Sequence, residues 1–195
     1  MLRLIGVYDY TVILTYMSLF SAVAGMTLAA ERKFSGAVLC LLACGVCDAF
    51  DGTVARSKKN RTEDEKSFGI QIDSLCDVIS FGVFPAFLCW QMGVDGFFGL
   101  LCVFVFALCG LIRLAFFNVI EGKRQQTEGG SNKFYRGLPI TSSSLILPPV
   151  YLLRFVLREA VFVGVLHGML LVVGFLFVLD FSVKKPDIKK LCGLK

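Results

Sequence analysis

The chain has 195 residues, 56% of them hydrophobic, with a mean hydropathy of +0.73 and a net charge of +5. That is too apolar for a soluble domain and fits a polytopic membrane protein. The basic residues other than Arg113 flank apolar runs, which argues against a nucleic-acid partner and for an anionic bilayer surface and an anionic substrate.

Apolar stretches cover about 12–30, 35–55, 69–93, 97–119, 138–157 and 160–181. Each is long enough for a helix across a hydrocarbon core roughly 30 Å thick. The expected fold is an all-α integral membrane protein of six transmembrane helices, one domain over 1–195, with a short interfacial N-terminal segment. Tyr8, Tyr10 and Tyr16 suit the headgroup level. The first apolar run lacks a basic n-region and a clear small-residue cleavage site, so no cleavable signal is expected. Gly25 and the alanines around it permit close helix packing.

The lysines and arginines set an orientation. One side receives Arg3, the loop from Arg56 to Lys66, the connection from Lys123 to Arg136, and the tail from Lys184 onward. Together these hold fifteen of the 20. The other side receives Arg32, Lys33, Arg154 and Arg158, and Arg113 falls inside a helix. Both termini and the 56–66 loop are therefore expected to be cytoplasmic, in a multi-pass cell-membrane protein.

Four carboxylates interrupt the second and third apolar runs: Asp48 and Asp51 in DAFDGTVAR, and Asp73 and Asp77 in GIQIDSLCD. A charge at the centre of a membrane helix costs roughly 2.5–3.5 kcal/mol on insertion scales. Four of them need a wet cavity or a cation. Asp48 and Asp51 share a helix side with Gly52, Ala55 and Arg56, while Gly69, Asp73 and Asp77 form an i, i+4, i+8 stripe. The helices become antiparallel neighbours through the basic loop between them. Asp48 and Asp77 then lie roughly 12 Å in from that loop, with Asp51 and Asp73 shallower. Oxygen-only ligands at this density suit hard divalent cations such as Mg2+ or Mn2+. Gly52 and Ala55 leave a helix face bare, against which a ligand can lie.

Further along, Cys44 and Cys47 form a CxxC in mid-helix, without other Cys or His at ligand spacing. They and most of the eight cysteines read as reduced, apolar packing residues. Arg113 stands about 9 Å below the cytoplasmic surface, close to the aspartates, and is a candidate for substrate contact. Asn118 is i+5 from it, off its stripe, yet able to border the same cavity. Residues 120–136 form the longest polar connection, with Gly129, Gly130 and Ser131 as a flexible stretch. Gly137 and Pro139 turn the chain into the fifth helix. Thr141, Ser142, Ser143 and Ser144 either cap that helix or line the site. His167 is expected to pack or make a weak hydrogen bond, and the tail VKKPDIKK to meet anionic lipid.

The pattern DxxDGxxAR, a spacer, then GxxxDxxxD resembles the signature of the CDP-alcohol phosphotransferase family. All fixed positions are present: Asp48, Asp51, Gly52, Ala55, Arg56, Gly69, Asp73 and Asp77. The spacer of twelve residues, Ser57 to Phe68, is longer than the family's commonest one. The segments YDYTVILTYMS, DSLCDVISFGVFPA, RLAFFN and GLPITSS are similar to the family's bacterial and archaeal phosphatidylserine synthases. Relatives that use glycerol phosphate usually carry a lysine after the last motif aspartate, where Val78 stands here.

The resemblance implies phosphatidyl transfer from CDP-diacylglycerol to L-serine, releasing CMP. It implies that Asp48, Asp51 and Asp73 hold two divalent ions, with Asp77 contributing to the site and acting as the base. Gly52, Ala55, Arg56, Ser67 and Gly69 would hold the CDP part, and Arg113 and Asn118 the serine. A homodimer is compatible with it. The alternatives are another acceptor (inositol phosphate or glycerol phosphate), an ether-lipid donor, or a divalent-cation transporter, which would not need the glycines and Arg56 at these spacings.

Overall fold

The computed structural model describes residues 6–58, 62–127 and 134–184. Helix α1 (Ile13–Ala30) runs alongside α2 (Phe34–Ser57). Three residues, Glu31 to Lys33, turn between them, with Arg32 at φ +61°. Helix α3 (Glu63–Asp77) continues through a π-helical segment (Val78–Val83) into α4 (Phe84–Gln91). Helix α5 (Gly96–Thr127) packs along α7 (Glu159–Val178). Between these two, α6 (Ser143–Leu152) is extended by a 3-10 turn at each end. Two short strands, β1 (Phe134–Arg136) and β2 (Ser182–Lys184), pair antiparallel, with Tyr135 opposite Val183.

Helices thus stand at all six expected places. Five of the continuous rods are long and apolar enough to cross a membrane: Ile13–Ala30, Phe34–Ala55, Glu63–Gln91, Gly96–Ile120 and Glu159–Val178. The protein is an integral membrane protein. The remaining rod covers 140–155 and is shorter than its apolar stretch, because Pro139 and Pro148–Pro149 break up the ladder. Two boundaries move outward from the expectation. The third rod begins at Glu63 rather than Gly69, because Thr62 and Glu65 form a reciprocal cap. The fourth, α5, continues to Thr127, through sequence expected to be loop. The glycine-rich stretch at 129–131, Arg3, Lys59, Arg61, Cys192 and the tail beyond Lys184 lie outside the described residues.

Large apolar side chains cover the outside. Phe20, Phe97, Phe155 and Val156 are each more than two-thirds exposed, an arrangement that lipid stabilises and water does not. The interior is a cluster of small and aromatic residues, including Ala22, Ala37, Leu41, Phe81, Phe84, Phe106 and Leu166. Gly25 lets α1 approach α4. A Cβ there would overlap the Phe84 ring and come within 2.9 Å of Cys40 Cβ. Gly45 plays the same part between α2 and α6, where a Cβ would lie 2.5 Å from Ser144 Oγ.

The π-helical segment follows directly after Asp77, and its cause is Pro85. Proline has no N–H and its ring crowds the carbonyl four residues back, here that of Phe81. The ladder widens instead, and the Phe84 N–H donates to the Ile79 carbonyl, five residues back. The Phe81 carbonyl receives its hydrogen bond from the Ser143 hydroxyl at 2.9 Å. In an apolar interior that replacement partner is what makes the proline tolerable.

Candidate active site

Helices α2 and α3 bring the four aspartates together around two adjoining cavities. The first, of about 310 Å³, is lined by Asp51, Gly52 and Ala55 from α2 and by Gly69, Ile70 and Asp73 from α3. Thr11, Val12 and Thr15 close its third side, and half-exposed Lys66 stands at its rim. The second, of about 210 Å³, is lined by Asp48, Asp73 and Asp77. Its other walls are Arg113, Leu114 and Phe117 of α5 and the chain from Pro139 to Thr141. Asp73 belongs to both. Asp51 and Asp73 are within side-chain hydrogen-bond reach, and Asp77 lies in the electrostatic field of the other three.

The walls are small where the sequence puts Gly52, Ala55 and Gly69, so the first cavity has backbone for a floor. The second has both carboxylates and an arginine among its lining residues. Arg113 is only 7% exposed. Its Nε donates to the Leu138 carbonyl at 3.1 Å, and its guanidinium sits 5.2 Å from the Phe117 ring centroid. These contacts fix the side chain and tie it to the chain before α6. Gly137 makes the tie possible. It sits at φ +71°, which disfavours any side chain, donates its N–H to the Phe181 carbonyl at 2.7 Å, and would bring a Cβ to a tight 3.1 Å from the Leu179 carbonyl.

Among the described residues, no three carboxylate, thiol or imidazole side chains form a ready-made cage around one ion. The chemistry of the donors nonetheless fits a hard cation. All are carboxylate oxygens, and four lie within one partly apolar site where uncompensated negative charge is costly. Asp48, Asp51, Asp73 and Asp77 are the residues that would hold a divalent cation.

Of the other residues expected in the site, Arg56 stands in the last turns of α2. Ser67 is exposed on α3 and lines neither cavity. Asn118 also lies outside both walls. Its Nδ2 donates to Ser74 Oγ at 2.8 Å, fastening α5 to the helix that carries Asp73 and Asp77. Thr141 does line the second cavity, whereas the hydroxyls of Ser142, Ser143 and Ser144 are turned to backbone carbonyls.

Cys44 and Cys47 are not bridged. Cys44 Sγ donates to the Ser18 carbonyl at 3.3 Å, a packing role. His167 bonds the Val163 carbonyl at 2.8 Å and stacks on Phe98, away from the site. Sequence reasoning missed Thr11, Thr15 and Lys66. Thr11 and Thr15 are i, i+4 at one end of the first apolar run, and that spacing was the available signal.

The chain matches the family model described as CDP-alcohol phosphatidyltransferase over residues 10–179. It belongs to that family. A Saccharomyces cerevisiae protein named CDP-diacylglycerol–serine O-phosphatidyltransferase is 33% identical over 160 residues, which cover 79% of this chain and 56% of that protein. The archaetidylserine synthase of Methanothermobacter thermautotrophicus is 35% identical over 144 residues, 73% of this chain and 58% of that protein. The CDP-diacylglycerol–serine O-phosphatidyltransferase of Helicobacter pylori strain J99 is 28% identical over 187 residues, 94% of this chain and 74% of that protein. The chain spans little more than half the length of the yeast and Methanothermobacter relatives.

Proposed function

We propose that the chain is a membrane enzyme, a single catalytic unit, that transfers the phosphatidyl group of CDP-diacylglycerol to the hydroxyl of L-serine, yielding phosphatidylserine and CMP. The observation that carries this reading is the pair of cavities joined at Asp73, one lined by Gly52, Ala55 and Gly69 and one lined by Arg113 together with Asp48 and Asp77. The first suits a nucleotide diphosphate laid against Gly52, Ala55 and Gly69. The second suits a small zwitterion, with its carboxylate toward Arg113 and its hydroxyl toward Asp77.

A serine hydroxyl is a weak nucleophile at neutral pH and needs a base. Asp77 takes the hydroxyl proton as the serine oxygen bonds to the phosphatidyl phosphorus. The bond from that phosphorus to the CMP oxygen breaks, and CMP leaves with the electron pair. Asp48, Asp51 and Asp73, with Asp77 contributing, would hold two divalent ions, which would supply charge neutralisation at the diphosphate. Arg113, held by the Leu138 carbonyl and Phe117, keeps its orientation throughout. Asn118, through Ser74, steadies the helix that presents Asp73 and Asp77.

Orientation follows the charge skew. Arg154 stacks its guanidinium on Phe34 at 4.8 Å, so Arg32, Lys33 and Arg154 gather at one end of the bundle. Lys58 lies at the other, beside Asp9. That supports a cytoplasmic opening of the site.

The similarity to an archaetidylserine synthase favours one second reading: the same acceptor with an ether-lipid donor. Purified protein incubated with ester or ether CDP-lipid and a panel of serine, glycerol 3-phosphate and inositol phosphate separates these. Serine-containing lipid from the ester donor is the expected product. Equal or faster transfer to another alcohol would overturn serine as the acceptor, and product from the ether donor alone would establish the second reading.

A further inference from the structure

The twelve-residue spacer between the two halves of the motif is tied to the N-terminal segment by one side chain. Lys58 Nζ donates to Asp9 Oδ2 at 2.6 Å and to Glu65 Oε1 at 3.1 Å. Asp9 also accepts from the Thr11 N–H at 2.9 Å and from the Thr11 hydroxyl. Glu65 is locked in the cap of α3. Its N–H donates to Thr62 Oγ1 at 3.1 Å, and the Thr62 N–H donates to Glu65 Oε2 at 3.0 Å. The N-terminal segment has a second anchor, Tyr16 hydroxyl to the Val7 carbonyl at 2.9 Å.

Each residue of this clasp stands next to a different wall of the first cavity. Asp9 is two residues from Thr11, Lys58 is three from Ala55, and Glu65 adjoins Lys66. The three side chains are only about a quarter exposed, at 24%, 25% and 28%. One ammonium therefore satisfies two carboxylates on separate elements, unlike an isolated surface pair, which contributes little.

We propose that Lys58 is a positioning residue for the donor: by holding Asp9 and Glu65 it fixes the width of the cavity that receives the cytidine diphosphate. The inference rests on the reading of that cavity as the donor site. Lys58 itself touches no substrate. It sets the approach of the N-terminal segment, with Thr11 and Val12, to the first turns of α3, with Lys66 and Gly69. Without it, two carboxylates face each other across the mouth and the segment moves away. The longer spacer can then be accommodated without loosening the site, because the clasp shuts it from both ends.

The test is steady-state kinetics of the full-length protein, with CDP-diacylglycerol and serine varied separately, in wild type, Lys58→Met, Lys58→Arg, Asp9→Asn and the Asp9→Asn/Lys58→Met double variant. Lys58→Met is expected to raise the donor KM roughly tenfold, to keep kcat within about twofold and to leave the serine KM alone. Inhibition by free CDP should weaken in parallel. Lys58→Arg should restore the donor KM. Asp9→Asn should raise it too, with the double variant no worse than Lys58→Met, since both break one clasp.

An unchanged donor KM in Lys58→Met overturns the proposal. So does a joint change in kcat, both KM values and melting temperature, which marks a merely structural lysine. A lower donor KM in Asp9→Asn also overturns it, because charge alone would then explain the effect. Wild-type protein that fails to use CDP-diacylglycerol at all would instead sink the donor reading, and the inference with it.

Discussion

Asp77 and Asp51 line different cavities that share Asp73, and their expected contributions separate accordingly. Asp77→Asn keeps the size and one oxygen but removes the base. General-base assistance contributes about 10²–10⁴-fold, so single-turnover rate should fall by that factor while CDP-diacylglycerol binding is largely kept. Asp51→Asn should weaken metal and donor binding together, seen as a higher metal requirement and a higher donor KM. A wild-type single-turnover rate in Asp77→Asn, at saturating metal and serine, would move the proton to another aspartate or to water.

The clasp at Asp9 has a predictable response to pH. The Lys58 hydrogen bond, followed by that from the Thr11 hydroxyl, holds the Asp9 carboxyl down at about 2, from an ordinary 3.8. A depressed carboxyl contributes stability that is fully present above its unfolded value and is lost as pH falls through about 2. Lys58 is pushed upward from 10.5, first by its bond to Asp9 and then by that to Glu65. Its contribution is present below 10.5 and is lost as pH rises through its folded value. Both groups thus stay charged between about pH 5 and 9. Salt is the lever that loosens the contact, since a partly exposed pair is screened. The donor KM should rise with ionic strength at any pH in that window, and a donor KM insensitive to salt would contradict the expectation.

At the scale of elements, the spacing of Asp48, Asp51, Asp73 and Asp77 made their convergence legible, but not that α1 packs along α2 and also reaches α3. Carboxylates in apolar sequence leave few arrangements open. The π-helical segment after Asp77 was not legible, although its cause is a visible residue. Pro85 announces a disturbed ladder, but whether a helix kinks, stops or widens depends on who satisfies the freed carbonyl. That partner, Ser143, is 62 residues from Phe81.

The same distance problem hid that Ser67 stands outside both cavities and that Asn118 bonds Ser74. Periodicity places a residue on a face, and only the neighbouring helix decides whether that face is a cavity wall. The Pro85–Ser143 relation predicts a coupled pair. Ser143→Ala alone should destabilise by about 1 kcal/mol, the cost of an unsatisfied carbonyl. In a Pro85→Ala background, the new N–H can serve Phe81 and the cost should nearly vanish. Thermal or denaturant unfolding in detergent measures both, and simple additivity would mean that Ser143 does something else. Pro85→Ala should also slow turnover by shifting Asp77, because π-helical turns set side-chain register.

At the scale of the whole molecule, the hydropathy of the chain and the lengths of its apolar runs carried the helical spans and the apolar outer shell. What they could not carry is the shape of the bundle interior. The N-terminal residues read as an interfacial segment, yet Thr11, Val12 and Thr15 form a wall of the first cavity. Nothing in their local sequence says which helix they will face. Orientation is testable directly. A membrane-impermeant thiol reagent should label a cysteine introduced at Lys59 or Gly130 only from the cytoplasmic side, and one at Lys33 only from outside. The opposite pattern would invert the molecule.

The most direct test of the account is to reconstitute the purified protein with CDP-diacylglycerol, labelled serine and Mg2+ or Mn2+, and to follow labelled lipid and free CMP together, beside an Asp73→Asn variant that still folds. Asp73 belongs to both cavities, so its loss should abolish both products at once. The account predicts serine-labelled lipid and CMP in equal amounts from the wild type and neither from the variant. CMP without labelled lipid, or wild-type turnover in Asp73→Asn, would contradict it.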